Sequence, residues 1–208
     1  MSRRLGVLIS GRGSNLQSMV DAIGRGELQA EIAIVISNRP DAAGLLRAQE
    51  AGLETLCLGQ KDFPSRDAYD TAVAAELRSR HVDLVCLAGF MRLIGSPLLD
   101  AFPGRILNIH PSLLPAFPGL DAQQQALDYG VRVSGATVHL VTAELDGGPI
   151  VLQAAVPVLP RDTVESLSAR ILVEEHRLYP RAVGLVLDGH WTVTGRRFIA
   201  EAAAGSSV

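Results

Sequence analysis

Short apolar runs and amphipathic segments alternate through the first half of the chain. Four runs rich in Val, Ile and Leu predict strands: residues 5–9, 32–36, 84–87 and 105–109. Three intervening segments carry apolar residues at helical spacing: residues 15–23, 41–51 and 67–80. Strands that alternate with helices form parallel sheets, and nearly continuous apolar character is typical of strands covered by helices on both faces.

The pattern changes in the second half. Two longer runs rich in β-branched residues, 131–141 and 150–158, flank a turn-forming loop and predict an antiparallel strand pair at one side of the sheet. A helix over residues 162–180 is expected to cover this pair. We therefore predict an α/β fold in a single domain, residues 1–199: an open, mostly parallel, Rossmann-like sheet flanked by helices, with the antiparallel pair in the C-terminal part. Residues 200–208 are predicted to form a flexible tail.

Composition narrows the classes of function. The 208 residues are 48% hydrophobic and 20% charged, which is typical of a globular domain. The 19 basic and 22 acidic residues give a formal charge of -3, and no basic run is interleaved with aromatic residues, so nucleic acid is not an expected partner. No segment resembles a signal peptide or a membrane span of roughly 20 apolar residues. We expect a cytoplasmic protein, monomeric or homodimeric, that acts on small molecules.

The cysteines and most histidines do not indicate metal or redox chemistry. Cys57 and Cys86 lie in apolar runs, where a free thiol packs as a small hydrophobic side chain, and their spacing fits no disulfide or redox motif. Four histidines are not spaced as metal ligands with cysteine or acidic partners: His81, His139, His176 and His190. No metal is expected.

A glycine-rich segment follows the first predicted strand. Residues 10–15 read Ser-Gly-Arg-Gly-Ser-Asn and open the first predicted helix, where free backbone amides and the helix dipole favour an anion such as a phosphate. The alternative is a tight turn that needs glycine for a positive φ and Ser14 or Asn15 as the N-cap. Leu16 stands where the dinucleotide fingerprint G-x-G-x-x-G has its third glycine, so the segment is not that fingerprint.

Asn108 and His110 lie two residues apart at the end of the fourth predicted strand. Side chains two apart on a strand share a face, and open α/β sheets bind ligands at the carboxyl ends of their strands. A carboxamide that donates to an oxyanion, beside an imidazole that exchanges a proton near neutral pH, suits acyl transfer to an amine. The alternative for His110 is a hydrogen-bonded structural role beside a proline.

Asp146 belongs to the turn-forming sequence Leu-Asp-Gly-Gly-Pro at residues 145–149. Taken alone, this sequence predicts a hairpin turn in which the aspartate bonds to its own backbone. If the loop folds over the ends of the strands, Asp146 orients His110 and stabilises its charged form. Ser112 follows His-Pro but lacks an elbow motif such as G-x-S-x-G, so direct attack by a substrate amine is the simpler mechanism.

Four separated motifs occur in the order found in one family. They are Leu-Ile-Ser-Gly-x-Gly-Ser-Asn-Leu at residues 8–16, Leu-Ala-Gly-Phe-Met-Arg at 87–92, Asn-Ile-His-Pro-Ser-Leu-Leu-Pro at 108–115 and Leu-Asp-Gly-Gly-Pro at 145–149. The chain thus resembles, over nearly its whole length, the phosphoribosylglycinamide formyltransferases of purine biosynthesis. This resemblance implies transfer of a formyl group from the co-substrate 10-formyltetrahydrofolate to the amine of glycinamide ribonucleotide.

The same resemblance implies roles for individual residues. The catalytic set would be Asn108, His110 and Asp146, and the substrate phosphate would be held by Gly13, Ser14 and Asn15. Glu175 would reach the ribonucleotide. The folate would be bound by Arg66, Met91, Arg92, Leu93 and Ile94, with the apolar members forming a slot for the flat ring. Pro115 is expected to follow a cis bond, and Ala116 stands where some relatives carry lysine.

Three other functions are compatible with parts of this pattern. A formyltetrahydrofolate hydrolase uses the same residues with water as the nucleophile, and an aminoacyl-tRNA formyltransferase uses a different acceptor. Both kinds of relative normally carry an additional domain, for which a fold predicted to run from residue 5 to residue 194 leaves no room. The third, an NAD-binding redox module, is disfavoured by Leu16, although fold alone does not determine function.

Overall fold

The computed structural model describes residues 3–201. Nine strands in this range form one sheet: β1 Arg4–Ile9, β2 Glu31–Ser37, β3 Thr55–Cys57, β4 Leu84–Leu87, β5 Ile106–His110, β6 Val133–Leu140, β7 Ile150–Pro157, β8 Trp191–Thr194 and β9 Arg197–Ala200. Six α-helices lie in the same range: α1 Ser14–Gly24, α2 Ala43–Glu50, α3 Arg66–Ser79, α4 Ser96–Ala101, α5 Ala122–Tyr129 and α6 Val164–Asp188.

The strand order in the sheet is β3-β2-β1-β4-β5-β6-β7-β9-β8. The first five strands in this order are parallel, and β6 runs antiparallel to both β5 and β7. The hairpin of β8 and β9 extends the sheet beyond β7. The predicted fold class is therefore confirmed: an open, mostly parallel, Rossmann-like sheet with an antiparallel pair in its C-terminal part. β6 and β7 form that pair inside the sheet, because the hairpin covers what was expected to be its edge.

Side chains along β1 alternate between two hydrophobic cores, one on each face of the sheet. Val7 and Ile9 belong to the core that α1 and α6 cover, whereas Leu8 belongs to the core that α3 covers. All three are fully buried, and each contributes about 1.5–3 kcal/mol through burial of apolar surface. This coverage on both faces explains the nearly continuous apolar character of the early strands.

The longest helix, α6, packs across the face formed by β5, β6 and β7. It begins with a capping box in which Thr163 and Ser166 each accept a hydrogen bond from the other's backbone amide. Its predicted end at Pro180 was wrong, because the helix continues to Asp188 with the proline inside it. A proline inside a helix removes one backbone hydrogen bond, and Pro180 is buried here.

Three further predictions concern the cysteines, the C-terminal tail and membrane-spanning segments. Cys86 is buried in β4, as expected, but Cys57 is exposed at the end of the edge strand β3, so its predicted packing was wrong. Of the predicted tail, Ala200 pairs with Trp191 in the β8–β9 hairpin, and residues 202–208 lie outside the described residues. None of the helices in residues 3–201 is both long and apolar enough to cross a bilayer.

The carboxyl ends of β1, β4 and β5 meet at one edge of the sheet, because these neighbouring strands are parallel. The strand order reverses between β1 and β4, and open α/β sheets bind ligands in the crevice outside this point. Backbone hydrogen bonding joins the loops there, since the Ser10 amide donates to the Gly89 carbonyl at 3.1 Å. The candidate site is built from the loops that leave this edge.

Candidate active site

His110 is the last residue of β5 and is 4% exposed. Its Nε2 atom lies 2.8 Å from the carbonyl oxygen of Phe117, in the loop that follows the strand. A carbonyl oxygen only accepts hydrogen bonds, so Nε2 carries a proton. The loop itself is fixed from β6, where the Thr137 hydroxyl donates to the Ser112 carbonyl at 2.7 Å, and the Leu114–Pro115 peptide within it is cis, as the family resemblance predicted.

The loop between β6 and β7 folds back over this strand end and brings Asp146 to His110. Asp146 adopts a left-handed backbone conformation, φ 49°, which aspartate tolerates better than most residues. Its Oδ2 lies 3.4 Å from Nδ1 of His110 and accepts a hydrogen bond of 2.8 Å from the Gly119 amide. The predicted alternative of a simple turn closed by the aspartate's own backbone is therefore not observed.

The protonation of His110 and Asp146 follows from their surroundings. Burial lowers the pKa of His110 below its ordinary value, although the Phe117 carbonyl and the Asp146 carboxylate act in the opposite direction. Burial also disfavours the charged form of Asp146, but the side chain of His139, the hydrogen bond from the Gly119 amide and the nearby His110 lower the pKa of Asp146 overall. Asp146 is therefore ionised at neutral pH, while His110 can lose or gain a proton.

Sequence reasoning missed a fourth polar side chain of the site, His139 of β6. In the antiparallel pairing of β5 and β6, His139 lies directly opposite Asn108. Its Nε2 is 3.1 Å from Nδ2 of Asn108 and 3.6 Å from Oδ1 of Asp146, and its Nδ1 is 3.0 Å from the carbonyl oxygen of Leu140. Because that carbonyl accepts the Nδ1 proton, neutral His139 offers Nε2 as an acceptor to the Asn108 amide.

This contact orients the Asn108 carboxamide. One N–H of its Nδ2 group donates a hydrogen bond to Nε2 of His139, and the other N–H can donate to a developing oxyanion. The structure thus brings the three predicted catalytic residues together, and it adds His139 as the residue that determines which way the carboxamide points. The signal that could have identified it was the cross-strand register, which requires knowing that β6 is a neighbour of β5.

The glycine-rich loop leads from β1 into α1. Gly13 occupies the N-cap position with φ 72°, so the positive φ expected of a glycine is confirmed, whereas Ser14 and Asn15 are not the N-cap. Nδ2 of Asn15 donates a buried hydrogen bond of 2.7 Å to Glu175 of α6, which joins two of the residues predicted to hold the ribonucleotide. Burial raises the pKa of Glu175, which the Asn15 hydrogen bond partly opposes. Oδ1 of Asn15 has no hydrogen-bond partner within residues 3–201.

The residues predicted to bind folate lie between β4 and α4 and at the start of α3. Met91 and Leu93 are 68% and 57% exposed, an unusual state for large apolar side chains beside a crevice. Arg92 places its guanidinium 4.3 Å from the centre of the Tyr69 ring. Arg66 is exposed on the first turn of α3. The structure therefore gathers these residues on one side of the crevice.

The site as a whole has the parts needed for acyl transfer without a covalent enzyme intermediate. It offers an oriented amide donor, an imidazole supported by a buried carboxylate and a helix start whose backbone amides are free to bind an anion. Among residues 3–201, no group of three or more His, Cys, Asp or Glu side chains is arranged to hold a metal ion. Fold and site together define an α/β enzyme of the acyl-transfer class.

Comparisons with known proteins narrow that class. Residues 3–183 match the family described as "Formyl transferase", and the chain belongs to this family. The phosphoribosylglycinamide formyltransferase of Escherichia coli is 46% identical over 183 residues, which cover 88% of this chain and 86% of that protein. The resemblance inferred from the four motifs is thus confirmed.

A larger relative and a solved structure give the same picture. The trifunctional purine biosynthetic protein adenosine-3 of Drosophila melanogaster is 48% identical over 189 residues, but the chain spans only 14% of its length. The crystal structure of glycinamide ribonucleotide transformylase 1 from Symbiobacterium toebii superposes with a TM-score of 0.94 at 57% identity, covering 96% of this chain and 94% of that one. The predicted family and fold therefore agree with relatives of similar length and with part of a longer one.

Proposed function

We propose that this protein transfers the formyl group of 10-formyltetrahydrofolate to the amine of glycinamide ribonucleotide, giving formylglycinamide ribonucleotide and tetrahydrofolate. The observation that carries the proposal is the convergence of Asn108, His110 and Asp146 at the end of β5, with 3.4 Å between the imidazole and the carboxylate. Relatives of similar length from E. coli and Haemophilus influenzae are named phosphoribosylglycinamide formyltransferase, which supports a formyl group as the unit transferred and glycinamide ribonucleotide as the acceptor.

In the proposed reaction the neutral amine attacks the formyl carbon, and the formyl oxygen becomes an oxyanion. The free proton of the Asn108 amide donates to this oxyanion. Both ring nitrogens of protonated His110 already face protein oxygens, from Phe117 and Asp146. His110 therefore stabilises the oxyanion through its positive charge rather than through a hydrogen bond. The new carbon–nitrogen bond is complete in this tetrahedral intermediate. A proton then passes from the added amine through water to N10 of the folate, and the bond between the formyl carbon and N10 breaks as the oxyanion becomes a carbonyl again.

The proposed substrate contacts place the two substrates on either side of this trio. The ribonucleotide phosphate binds to the backbone at Gly13, Ser14 and Asn15, and Glu175 contacts the ribonucleotide. The support is the hydrogen bond between Asn15 and Glu175, which links the loop to α6. The folate binds along Arg66, Met91, Arg92, Leu93 and Ile94. The exposed apolar side chains of Met91 and Leu93 suit a flat ring. Holding both substrates supplies much of the rate.

Three wider features belong to the same proposal. The protein acts in the cytoplasm on small molecules rather than on nucleic acid, and it works as a monomer or homodimer. Residues 1–199 form the formyltransferase domain. The formal charge of -3 supports the expectation that nucleic acid is not a partner.

A two-substrate assay tests the proposal. Purified protein is mixed with 10-formyltetrahydrofolate, with and without glycinamide ribonucleotide, and loss of the donor and formylation of the amine are followed together. The expected result is donor loss that requires the ribonucleotide, with one formylated product per donor consumed. Equal donor loss without the ribonucleotide would instead indicate hydrolysis, and no loss under either condition would refute formyl transfer.

A further inference from the structure

Residues 91–95 form the second part of the connection between β4 and α4. This segment is held at both ends by side chains from elsewhere in the chain. At its start the Met91 amide donates to the hydroxyl of Ser10 at 2.9 Å, and that hydroxyl donates to Asn38 at 2.6 Å. At its end the Gly95 amide donates to Oδ2 of Asp70 at 2.6 Å. The side chains between these two points are thus presented on a segment whose ends are fixed.

Asp70 has no role in the proposed chemistry, yet it is a buried carboxylate. It lies on α3 and is 1% exposed, and its Oδ1 has no hydrogen-bond partner in the part of the chain that the structure describes. Burial raises the pKa of Asp70, while the Gly95 amide and the charges of Arg92 and Arg66 act to lower it. A buried carboxylate is costly unless it is compensated, so its hydrogen bond to Gly95 and its two arginine neighbours explain why it is tolerated here.

The surroundings of Gly95 also show how closely the Asp70 carboxylate approaches the backbone. Its backbone angles, φ -96° and ψ 174°, are available to any residue, so backbone conformation does not require glycine here. Glycine is favoured here by the lack of space, because a Cβ atom at this position would lie 2.8 Å from Oδ2 of Asp70. The other near atoms, 3.3 Å away, belong to the exposed side chains of Arg66 and Asp67, which can move. The absence of a side chain at residue 95 therefore serves the approach of the Asp70 carboxylate.

We propose that Asp70 is a positioning residue: by accepting the Gly95 amide it fixes the end of the 91–95 segment and so holds Met91 to Ile94 in the shape that receives the folate. This inference rests on the proposed function for its substrate. It predicts that loss of the Asp70 carboxylate weakens folate binding selectively, because the ribonucleotide and the catalytic trio are held by other loops.

The first test compares Asp70→Ala with Asp70→Asn, using Asp67→Asn as a control that removes an exposed charge from the same helix turn. Hydrogen exchange of the Gly95 amide, measured without substrates, should accelerate about tenfold or more in Asp70→Ala, because a hydrogen bond to a charged group is lost. In the assay, KM for the folate should rise about tenfold, with KM for the ribonucleotide and kcat within about twofold. Asp70→Asn, which keeps an acceptor oxygen, should recover most of the loss, and Asp67→Asn should match the parent protein.

A double-mutant cycle gives the sharper test. Gly95→Ala should raise KM for the folate about tenfold in the parent protein, since its methyl group meets the Asp70 carboxylate. In the Asp70→Ala background the same change should cost less than about twofold, because the carboxylate is no longer there. Independent effects that multiply in the double variant would overturn the proposed contact.

The outcomes separate this inference from the proposed function. Unchanged Gly95 exchange in Asp70→Ala, or parallel increases in both KM values, would overturn the positioning role even in an active enzyme. If the parent protein consumes no formyl donor, the proposed function fails, but faster Gly95 exchange in Asp70→Ala with recovery in Asp70→Asn still supports Asp70 as the residue that fixes the segment. Binding of folate, measured directly by calorimetry, then replaces KM as the readout.

Discussion

Replacing Asp146 with Asn isolates the charge of this residue from its shape. Oδ2 of Asp146 faces both the Gly119 amide, at 2.8 Å, and Nδ1 of His110, at 3.4 Å, whereas Oδ1 faces Nε2 of His139 at 3.6 Å. In Asp146→Asn the remaining oxygen can stay toward the Gly119 amide and His110. The hydrogen-bond geometry is therefore retained, and what disappears is the negative charge beside the imidazole.

The structure sets the magnitude of this loss. The Asp146 and His110 side chains are 8% and 5% exposed, so solvent screens their interaction weakly. Two full charges 3.4 Å apart attract by about 5 kcal/mol at an effective dielectric constant of about 20. If most of this difference is felt when the oxyanion forms, kcat falls by about two to three orders of magnitude, which corresponds to about 3–4 kcal/mol.

The assay is donor loss at saturating ribonucleotide and folate, from pH 5 to pH 9, with circular dichroism to show that the variant is folded. Since the charge of Asp146 raises the pKa of His110, its removal should move the high-pH loss of activity to lower pH. Both KM values should stay within about threefold. A folded variant whose kcat is within about tenfold of the parent, with an unshifted pH profile, would refute the role assigned to the carboxylate.

Three further predictions concern orientation, binding and stability. His139→Ala should lower kcat by about tenfold with little change in either KM, because the Asn108 carboxamide loses its acceptor; an unchanged kcat would contradict this. Gly13→Ala should raise KM for the ribonucleotide about tenfold or more and leave that for folate unchanged, since the residue has φ 72° and the added Cβ would lie 2.6 Å from Cα of Gly44. Asp162→Asn should lower Tm by a few degrees at pH 7: the Arg170 guanidinium holds the pKa of Asp162 well below its usual range, so the pair stabilises the fold above about pH 4. The Tm difference should narrow as the pH falls below that value, and a constant difference down to pH 3 would contradict this assignment.

Four of the five parallel strands were predictable because they are buried on both faces. Each of the four predicted runs overlaps an observed strand with bounds that differ by at most one residue at either end, as in β4, residues Leu84–Leu87. These runs are short, rich in Val, Ile and Leu and followed by turn-forming residues, which distinguishes them from buried helices. The same logic failed for β9, Arg197–Ala200, which is short, half-exposed and bounded by charged residues.

Two helices were missed for different physical reasons. The six residues of α4, Ser96–Ala101, are too few for a hydrophobic period of 3.6 to repeat, and Pro97 in its first turn resembles loop sequence. α5, Ala122–Tyr129, carries a run of three glutamines and follows a segment rich in proline and glycine. Its few apolar side chains pack against α6 and the core, so tertiary contacts rather than its own sequence pattern decide its conformation.

Local sequence identified the strand end that bears Asn108 and His110, but it could not show what surrounds them. The partner of His110 at Nε2 is the backbone of Phe117, and any residue at that position supplies the same carbonyl. His139 enters the site only because β6 lies next to β5 in a register that pairs it with Asn108. Strand order and register are set by packing over the whole sheet, so a residue of this kind is invisible to motif spacing.

The site is held together by side chains that bind the backbone of loops, and this arrangement separates chemistry from substrate binding. Asp146 fixes the loop after β5 through the Gly119 amide while it faces the imidazole, so the proposed catalytic residue also has a structural contact. Asp70 holds Gly95 and has no contact with the trio, and Gly13 shapes the start of α1 against α2. Changes at Asp70 and Gly13 should therefore act on one substrate each, whereas a change at Asp146 acts on kcat. A kinetic phenotype then reports which part of the site was disturbed: the loop after β5, the 91–95 segment or the glycine-rich loop.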